Sequence, residues 1–463
     1  MRRTSIEEVA VLVVGAGPAG LTAAATLAHY GVGSLLVERR SALSDLPRAT
    51  VASTGTMELL RSWSLEEQVR AAEVDVDERG WMGETLTSPD GTTIPLGLPS
   101  REQAAALSPT GPVCVAQDDL EPVLLRHVRE LGRTEVRFGT ALVGLEPRSD
   151  GVEAVLRDAG GTRVVRARFV VGADGAHSSV RDALGIAMRG PGRILDAVSA
   201  LFRAPLWELL GDRRHLIYPV THAEAEGTFV PSGRGDRWIY GVRDEPGMLD
   251  FSAYDAETMT RLIRLGAGVP ELEPRIERIG SFSFTAELAE RFRDGSVFLV
   301  GDAAHRVTPR GGTGMNTAIR DGHDLGWKLA WVLRGWAGAE LLDSYESERR
   351  PVAEHNLARS VDPNGSLREV SEELHVDLGG RIAHVWVETD EGRRSTLDLL
   401  GPGYTLFAGP GATVAPRGPV PVAVQRLPAI AARALGIQPG GSLLGRPDGV
   451  RVQAGQVSLA AAA

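Results

Sequence analysis

No stretch constrains this chain more than the run from Val9 to Gly20. Val9 to Val14 is continuous, apolar and rich in β-branched residues, the signature of a parallel strand buried on both faces. It ends in Gly15-Ala16-Gly17-Pro18-Ala19-Gly20, a GxGxxG that opens an Ala- and Leu-rich stretch of helical spacing, Pro18 to Tyr30. Gly31 and Gly33 stop that helix, and Ser34 to Val37 is a second short apolar run closed by Glu38. Strand, helix and strand within about 30 residues make a βαβ unit. Gly15 permits the tight turn, Gly17 lets a pyrophosphate approach the backbone, and Gly20 lets helix and strand pack closely. The helix start offers free N–H groups and about half a positive charge to the phosphates. Glu38 ends the second strand 18 residues after Gly20, where a carboxylate can accept both hydrogen bonds of an adenosine ribose. Glu38 followed by Arg39 does not by itself choose NAD over FAD.

The remaining totals narrow the class. At 463 residues the chain predicts two or three domains. Hydrophobic content of 43% with 24% charge is globular. A net charge of −10 argues against a nucleic-acid or anionic-membrane partner. Lys328 is the only lysine, and arginine supplies the other basic charges, as expected of a GC-rich coding sequence. Cys114 stands alone, so no intrachain disulfide, CxxC pair or thiol cluster for a metal is possible. A reducing, cytoplasmic compartment fits. Arg2 and Arg3 before an apolar run imitate a signal peptide, but the run is short, Glu7 and Glu8 interrupt its approach, and glycines break it. No stretch reaches the roughly 20 apolar residues that span a bilayer.

Two further motifs follow buried runs. Val297 to Val300 leads into Gly301-Asp302-Ala303-Ala304-His305, which puts Asp302 at a strand C-terminus, where open α/β sheets bind ligands. A carboxylate there can hold a ribityl hydroxyl. Next come Pro309, Arg310 and Gly311-Gly312-Thr313-Gly314-Met315-Asn316, a glycine loop against which a planar ring can lie. The loop feeds a helical pattern, Gly314 to Leu333, whose positive end suits a ring that gains negative charge on reduction, as a flavin does. Phe169 to Gly172 leads into Ala173-Asp174-Gly175, with Arg181 beyond; Asp174 can cap the opening helix or reach the pyrophosphate side. Gln117 to Leu131 reads as an amphipathic helix. Val136 to Phe138 and Val152 to Leu156 read as antiparallel strands, and Gly185 to about Phe284 as the sheet of a second domain. Tyr345 to Arg359 reads as a charged helix, and a Gly- and Pro-rich tail starts near Leu397. Only one GxGxxG occurs, so one dinucleotide is held tightly and any second nucleotide visits transiently or binds elsewhere.

The clamp ending in Glu38, the motif at Asp174 and the motif at Asp302, in this order, resemble the single-component FAD-dependent aromatic hydroxylases, a group with p-hydroxybenzoate, phenol and aromatic polyketide hydroxylases. The resemblance covers about residues 9 to 360. It implies an α/β fold with a Rossmann-like FAD-binding domain (1–75, 101–184 and 285–365), a substrate-binding sheet domain (76–100 and 185–284) and a thioredoxin-like C-terminal remnant (380–463). It further implies that Arg48, in Pro47-Arg48-Ala49, and Gln117 contact the FAD, that Leu142 meets the adenine through its backbone, and that Asp302 holds the ribityl chain. Pro309, Gly312, Gly314, Met315 and Asn316 would face the isoalloxazine, with Arg48, Pro309 and Gly312 positioning the flavin for catalysis; Asp174 and Arg181 belong to a motif tied to both FAD and NAD(P)H. The implied reaction spends transient NADPH or NADH and O2 to hydroxylate an aromatic, polyketide-like or phenolic substrate through a flavin C4a-hydroperoxide. His305, Tyr218, Tyr240 and Arg310 are candidates for a base, with none assigned. The expected protein is a monomer or homodimer without metal. Baeyer–Villiger oxygen insertion on the same scaffold, and a non-catalytic flavin- or drug-binding protein, are the alternatives.

Overall fold

A computed structural model describes residues 6–414 and 418–452. Arg2 and Arg3 of the apparent leader, and positions 453–463 of the tail, lie outside the described residues. The apolar run forms the strand Glu7–Val14, whose Val11, Leu12 and Val13 are fully buried. It sits inside a sheet between Gly161–Gly172 on one side and Ser34–Glu38 on the other, pairing with both in parallel. Thr134–Phe138 adds in parallel beyond Ser34–Glu38, and Val297–Leu299 beyond Gly161–Gly172. The parallel strands therefore follow the spatial order third, second, first, fourth, fifth. That order reverses between Glu7–Val14 and Gly161–Gly172, and ligands of open α/β sheets bind at such a switch point, outside the strands' carboxyl ends.

One sequence expectation is corrected here. Val136 to Phe138 is parallel, because the helix Gln117–Leu131 is the crossover that delivers it to the sheet edge. The polar alternation that suggested an antiparallel strand reflects its edge position. Val152 to Leu156 is antiparallel, within Gly151–Asp158, and pairs with both Ala141–Arg148 and Gly161–Gly172.

The helix Pro18–His29 packs along the helix Gly314–Leu333 with almost no side chain between them. A Cβ on Gly322 would fall 2.3 Å from the Ala19 carbonyl oxygen, and one on Gly326 would fall 2.7 Å from Cβ of Thr26. Ala19 meets Gly322 and Thr26 meets Gly326, so the two helices run in the same direction. Gly301 sits at their start, where a Cβ would lie 3.2 Å from that of Ala19 and 3.0 Å from that of Ala318.

A second eight-stranded sheet collects Asp77–Met82, Thr92–Ile94, His305–Arg306 and the strands between Met188 and Ala289. One face, with Phe202, Tyr218, Phe229, Trp238 and Tyr240 fully buried, packs on the helix Ala256–Ala267. Tyr218 donates its hydroxyl to the Arg213 carbonyl (2.6 Å) and Tyr240 to that of Ala225 (2.8 Å). Both tyrosines therefore belong to this core, and burial pushes both phenols upward, that of Tyr218 to about 12. The tail holds a three-stranded sheet with Tyr404–Ala408 in the middle, parallel to Val422–Arg426 and antiparallel to Ser442–Gly445, with the helix Ala429–Ala434 packed beside it. It packs against the helices that carry an ion cluster around the fully buried Lys328: the Lys328 ammonium meets Asp324 (2.8 Å) and Glu348 (3.0 Å), and Arg446 from the tail reaches Glu348 at 2.8 Å. No helix among the described residues is long and apolar enough to cross a membrane.

Two outcomes test this packing. Gly322→Val should cost about 1–3 kcal/mol, the range for overpacking, read as an earlier midpoint in urea unfolding. Lys328→Met should cost about 3–5 kcal/mol at neutral pH, because Asp324 is left buried and charged. Burial already raises the Asp324 carboxyl, so the penalty should shrink as pH falls toward the ordinary aspartate range and the group takes up a proton.

Candidate active site

The motifs converge on one edge of the first sheet. Gly15, Ala173, Gly301 and Glu38 lie at the carboxyl ends of adjacent strands, and the two parallel helices both begin there. At the first turn, Gly15 has φ +108°, and a Cβ on it would stand 2.3 Å from the Ala173 carbonyl oxygen. A Cβ on Gly20 would stand 2.0 Å from the Gly15 oxygen. Those two glycines are required by packing. Gly17 differs: nothing lies within 4 Å of where its Cβ would be, and no side chain caps the helix it starts. Open space in front of uncapped N–H groups is what a pyrophosphate needs. Pro18, at the first helical position, has no N–H to leave unpaired.

Glu38 is half-buried beside this turn and accepts the Ala16 N–H (3.0 Å) and the Arg40 N–H (2.9 Å), one on each oxygen. Two of about four acceptor positions stay free for ribose hydroxyls. Arg39 points into solvent. The Thr140 and Gly139 N–H groups bond to the Glu38 and Arg40 carbonyls (2.8 Å each), which brings the buried Leu142 strand next to the Glu38 end.

Asp302 follows the Val297–Leu299 strand and lies open to solvent at the bottom of a cleft walled by protein. Those walls push its carboxyl above the ordinary aspartate range, against the opposing His305, Arg48 and Arg306. A carboxyl in that position suits a hydroxyl donor. The turn that presents it is held from behind. Buried Asp321 accepts the Gly301 N–H (3.1 Å), faces His305 Nε2 (2.6 Å) and takes the Arg349 guanidinium (2.7 Å). Burial pushes the Asp321 carboxyl up, but the His305 and Arg349 charges outweigh it and hold it below the ordinary range. His305 is thus part of the turn's support.

The glycine loop lies a few residues on. Gly311 and Gly312 have φ of +85° and +64°, and nothing stands within 4 Å of a Cβ on Gly312. Pro309 is exposed, and the helix from Gly314 starts without a side-chain cap, with Met315 already buried in its first turn. Asn316 is fully committed to the protein: it donates to the Val51 and Gly312 carbonyls (3.0 Å each) and accepts the Ser53 N–H (2.8 Å). Its side chain shapes the loop.

The other sequence candidates divide. Arg48 is exposed, and its charge reaches both Asp302 and Glu121. Gln117 is buried, with its N–H on the Ala49 carbonyl (2.8 Å) and its amide on Glu121 (2.7 Å), so it supports the Arg48 loop. Asp174 turns to Ser178 (2.5 Å) and the Val180 N–H (3.1 Å), the capping alternative, while Arg181 reaches the Ala303 and Ala176 carbonyls. Arg310 donates to the Asp362 carbonyl at 2.7 Å. Sequence reasoning missed Asp321, Arg349 and Glu121. Burial pushes the Glu121 carboxyl up to about 7; its trace in the sequence is an acid inside the apolar stripe of Leu120, Leu124, Leu125 and Val128.

The second sheet has another face, opposite its buried core. Leu201, Ile239 and Val230 are direct cross-strand neighbours, and so are Ser199, Gly241 and Thr228. Arg278 opposes Leu201 in the same row and reaches Asp45 (3.1 Å), three residues before Arg48, so this wall looks toward the Arg48 loop. Leu201 is buried, and Ser199, Thr228, Val230, Ile239 and Gly241 are half-buried, so the row at Leu201, Ile239 and Val230 is apolar and the next row is small and weakly polar.

Known proteins match this arrangement. The family model described as an FAD binding domain matches residues 8–360. The chain is 36% identical over 452 residues to aklavinone 12-hydroxylase of Streptomyces peucetius, covering 87% of this chain and 92% of that protein. It is 38% identical over 363 residues to a putative polyketide hydroxylase of Streptomyces halstedii, covering 77% of this chain and 65% of the longer relative. Among solved structures, aklavinone-11 hydroxylase in complex with FAD and aklavinone superposes with a TM-score of 0.86 at 33% identity, over 96% of this chain and 95% of that one. With the strand order, the switch-point edge and the match over 353 positions in hand, the chain belongs to the family of FAD-dependent aromatic hydroxylases built on this FAD-binding domain.

Proposed function

We propose that the protein uses NAD(P)H and O2 to hydroxylate a flat, electron-rich aromatic substrate, polycyclic and polyketide-like or phenolic. The observation that carries this reading is the open glycine loop together with Asp302, whose surroundings include Arg48, and the Leu201, Ile239 and Val230 row, tied through Arg278 and Asp45 to the Arg48 loop. When bound, FAD supplies the redox and oxygen chemistry.

This chain's residues supply position. Gly17 and the uncapped Pro18–His29 helix take the pyrophosphate, Glu38 the adenosine ribose, and the backbone at Leu142 the adenine. Asp302 accepts from the ribityl chain. Pro309, Gly312, Gly314 and Met315 would lie against the ring, and the uncapped start of the Gly314–Leu333 helix would favour negative charge there. Arg48 would border the ring on the Asp45 side, where Asp45 ties the loop to Arg278, and Gln117 would hold that loop from behind through the Ala49 carbonyl. The apolar wall excludes water from the reacting ring. No side chain is needed as a covalent nucleophile. The division into an FAD-binding part (1–75, 101–184, 285–365), a substrate sheet (76–100, 185–284) and a C-terminal part (380–463) belongs to this reading. So does a cytoplasmic monomer or homodimer without nucleic-acid partners, supported by the net charge of −10.

The assay is direct. Purified protein should show flavin absorbance, and an aromatic polyketide or phenol should accelerate NAD(P)H oxidation and yield a product bearing one oxygen from 18O2. No acceleration by any ring compound, or a ring-expanded lactone as the sole product, would count against hydroxylation. Asp302→Ala should weaken FAD binding about tenfold, the effect of losing a hydrogen bond to a charged group. Gly17→Val should abolish FAD retention, because its side chain fills the open pyrophosphate position. Full retention in both variants would overturn the site.

A further inference from the structure

The helix Val370–Leu378, beyond the matched family region, reaches the glycine loop through a chain of hydrogen bonds. Asp377, at the end of the helix Val370–Leu378, accepts the Ser53 hydroxyl at 2.6 Å and the Gly55 N–H at 2.8 Å. Ser53 caps the helix Thr54–Ser62, and its own N–H is the one that Asn316 accepts at 2.8 Å. Asn316 in turn holds the Gly312 carbonyl at 3.0 Å. Four residues from three distant parts of the chain thus form one hydrogen-bonded line, Asp377–Ser53–Asn316–Gly312. The contact is built for closeness: a Cβ on Gly55 would stand 2.6 Å from the Asp377 carbonyl oxygen. Gly55 has ordinary helical geometry, so the approach of Asp377 is what calls for a glycine there. The line borders a partly open pocket of about 60 Å³, with Thr54, Thr313 and Arg320 among its polar walls and Val51, Leu98 and Leu374 among its apolar ones.

We propose that Asp377 and Ser53 are positioning residues for the flavin-facing loop, so that the helix Val370–Leu378 sets where Gly312 meets the ring. This rests on the flavin site given above. A carboxylate accepting the Ser53 hydroxyl and the Gly55 N–H pins the Ser53–Gly55 turn at two points, and the Ser53 N–H fixes the Asn316 amide. Asn316 then has one acceptor position and two donor positions occupied, so its orientation and that of the Gly312 carbonyl are determined together. Loosening Asp377 frees the amide to rotate and the loop to relax.

The helix Thr54–Ser62 is also tied, through Glu58, to Arg381 (3.0 Å), three residues beyond the helix Val370–Leu378, by a pair that makes no hydrogen bond to the line. That gives a control. In the full-length protein, FAD affinity is measured by fluorescence titration, together with the flavin absorbance spectrum and product formed per NAD(P)H consumed. Asp377→Ala and Ser53→Ala should each weaken FAD binding about tenfold, shift the flavin spectrum and lower the product yield per NAD(P)H. Arg381→Ala should lower thermal stability yet leave FAD affinity and spectrum as in the parent. Equal FAD affinity and spectrum in the parent and both line variants would overturn the proposal, as would an equal loss in Arg381→Ala. A parent protein that binds FAD but hydroxylates nothing would defeat the proposed function, while the affinity and spectral comparison would still decide this inference.

Discussion

The close parallel contact of the helices Pro18–His29 and Gly314–Leu333 is the constraint on which the rest depends. Two helices with normal side chains at the seam stay roughly 8–10 Å apart. Here Gly322 and Gly326 remove the side chains on one side, so the Ala19 and Ala23 backbone can press directly against the partner helix. The consequence is geometric. Both positive helix ends, about 300 positions apart in sequence, open on the same sheet edge, and Gly301 fits between them. An elongated ligand with phosphates in its middle and a redox ring at one end can then meet one helix with its charge and the other with its ring. Separate either helix and the two halves of the site no longer share a ligand.

That arrangement has to be held against the pull of buried charge. The Gly301–Asp302 turn rests on Asp321, which spends its acceptors on a backbone N–H, His305 and Arg349. A buried carboxylate unpaired would be costly; with these partners it is a rigid post that leaves Asp302 free to face the cleft. The tail is fastened by the same logic at Lys328, Glu348 and Arg446. Both fastenings lie behind the site, and the groups that face the cleft, Asp302, Gly17 and Gly312, are the ones with open space in front of them.

Much of this was legible in the sequence for a physical reason. Glycines at a strand-to-helix turn, an acid closing a strand and a glycine loop opening a helix are local patterns, each decided by backbone geometry within a few residues. Hence Gly15 to Gly20, Glu38, Asp302 and Gly312 fall where the sequence puts them. What stayed hidden was decided across the chain. The Thr134–Phe138 strand looked antiparallel because an edge strand alternates whatever its partner's direction. Asn316, Gln117 and Asp174 sit at the site, yet they face Ser53, Glu121 and Ser178, and no spacing rule states which way an amide or a carboxylate turns. Asp321 and Arg349 are separated by 28 residues and Ser53 and Asp377 by 324, distances over which a single sequence carries no signal.

The central claim is that one extended cofactor spans both helix ends. A crystal structure of the protein with FAD bound measures that directly. The account predicts phosphate oxygens within hydrogen-bonding distance of the backbone at Gly17 to Ala19, and the isoalloxazine against Gly312 to Met315. Phosphates bound away from the Pro18–His29 helix, or a ring lodged on the far side of the second sheet among Tyr218 and Trp238, would contradict it.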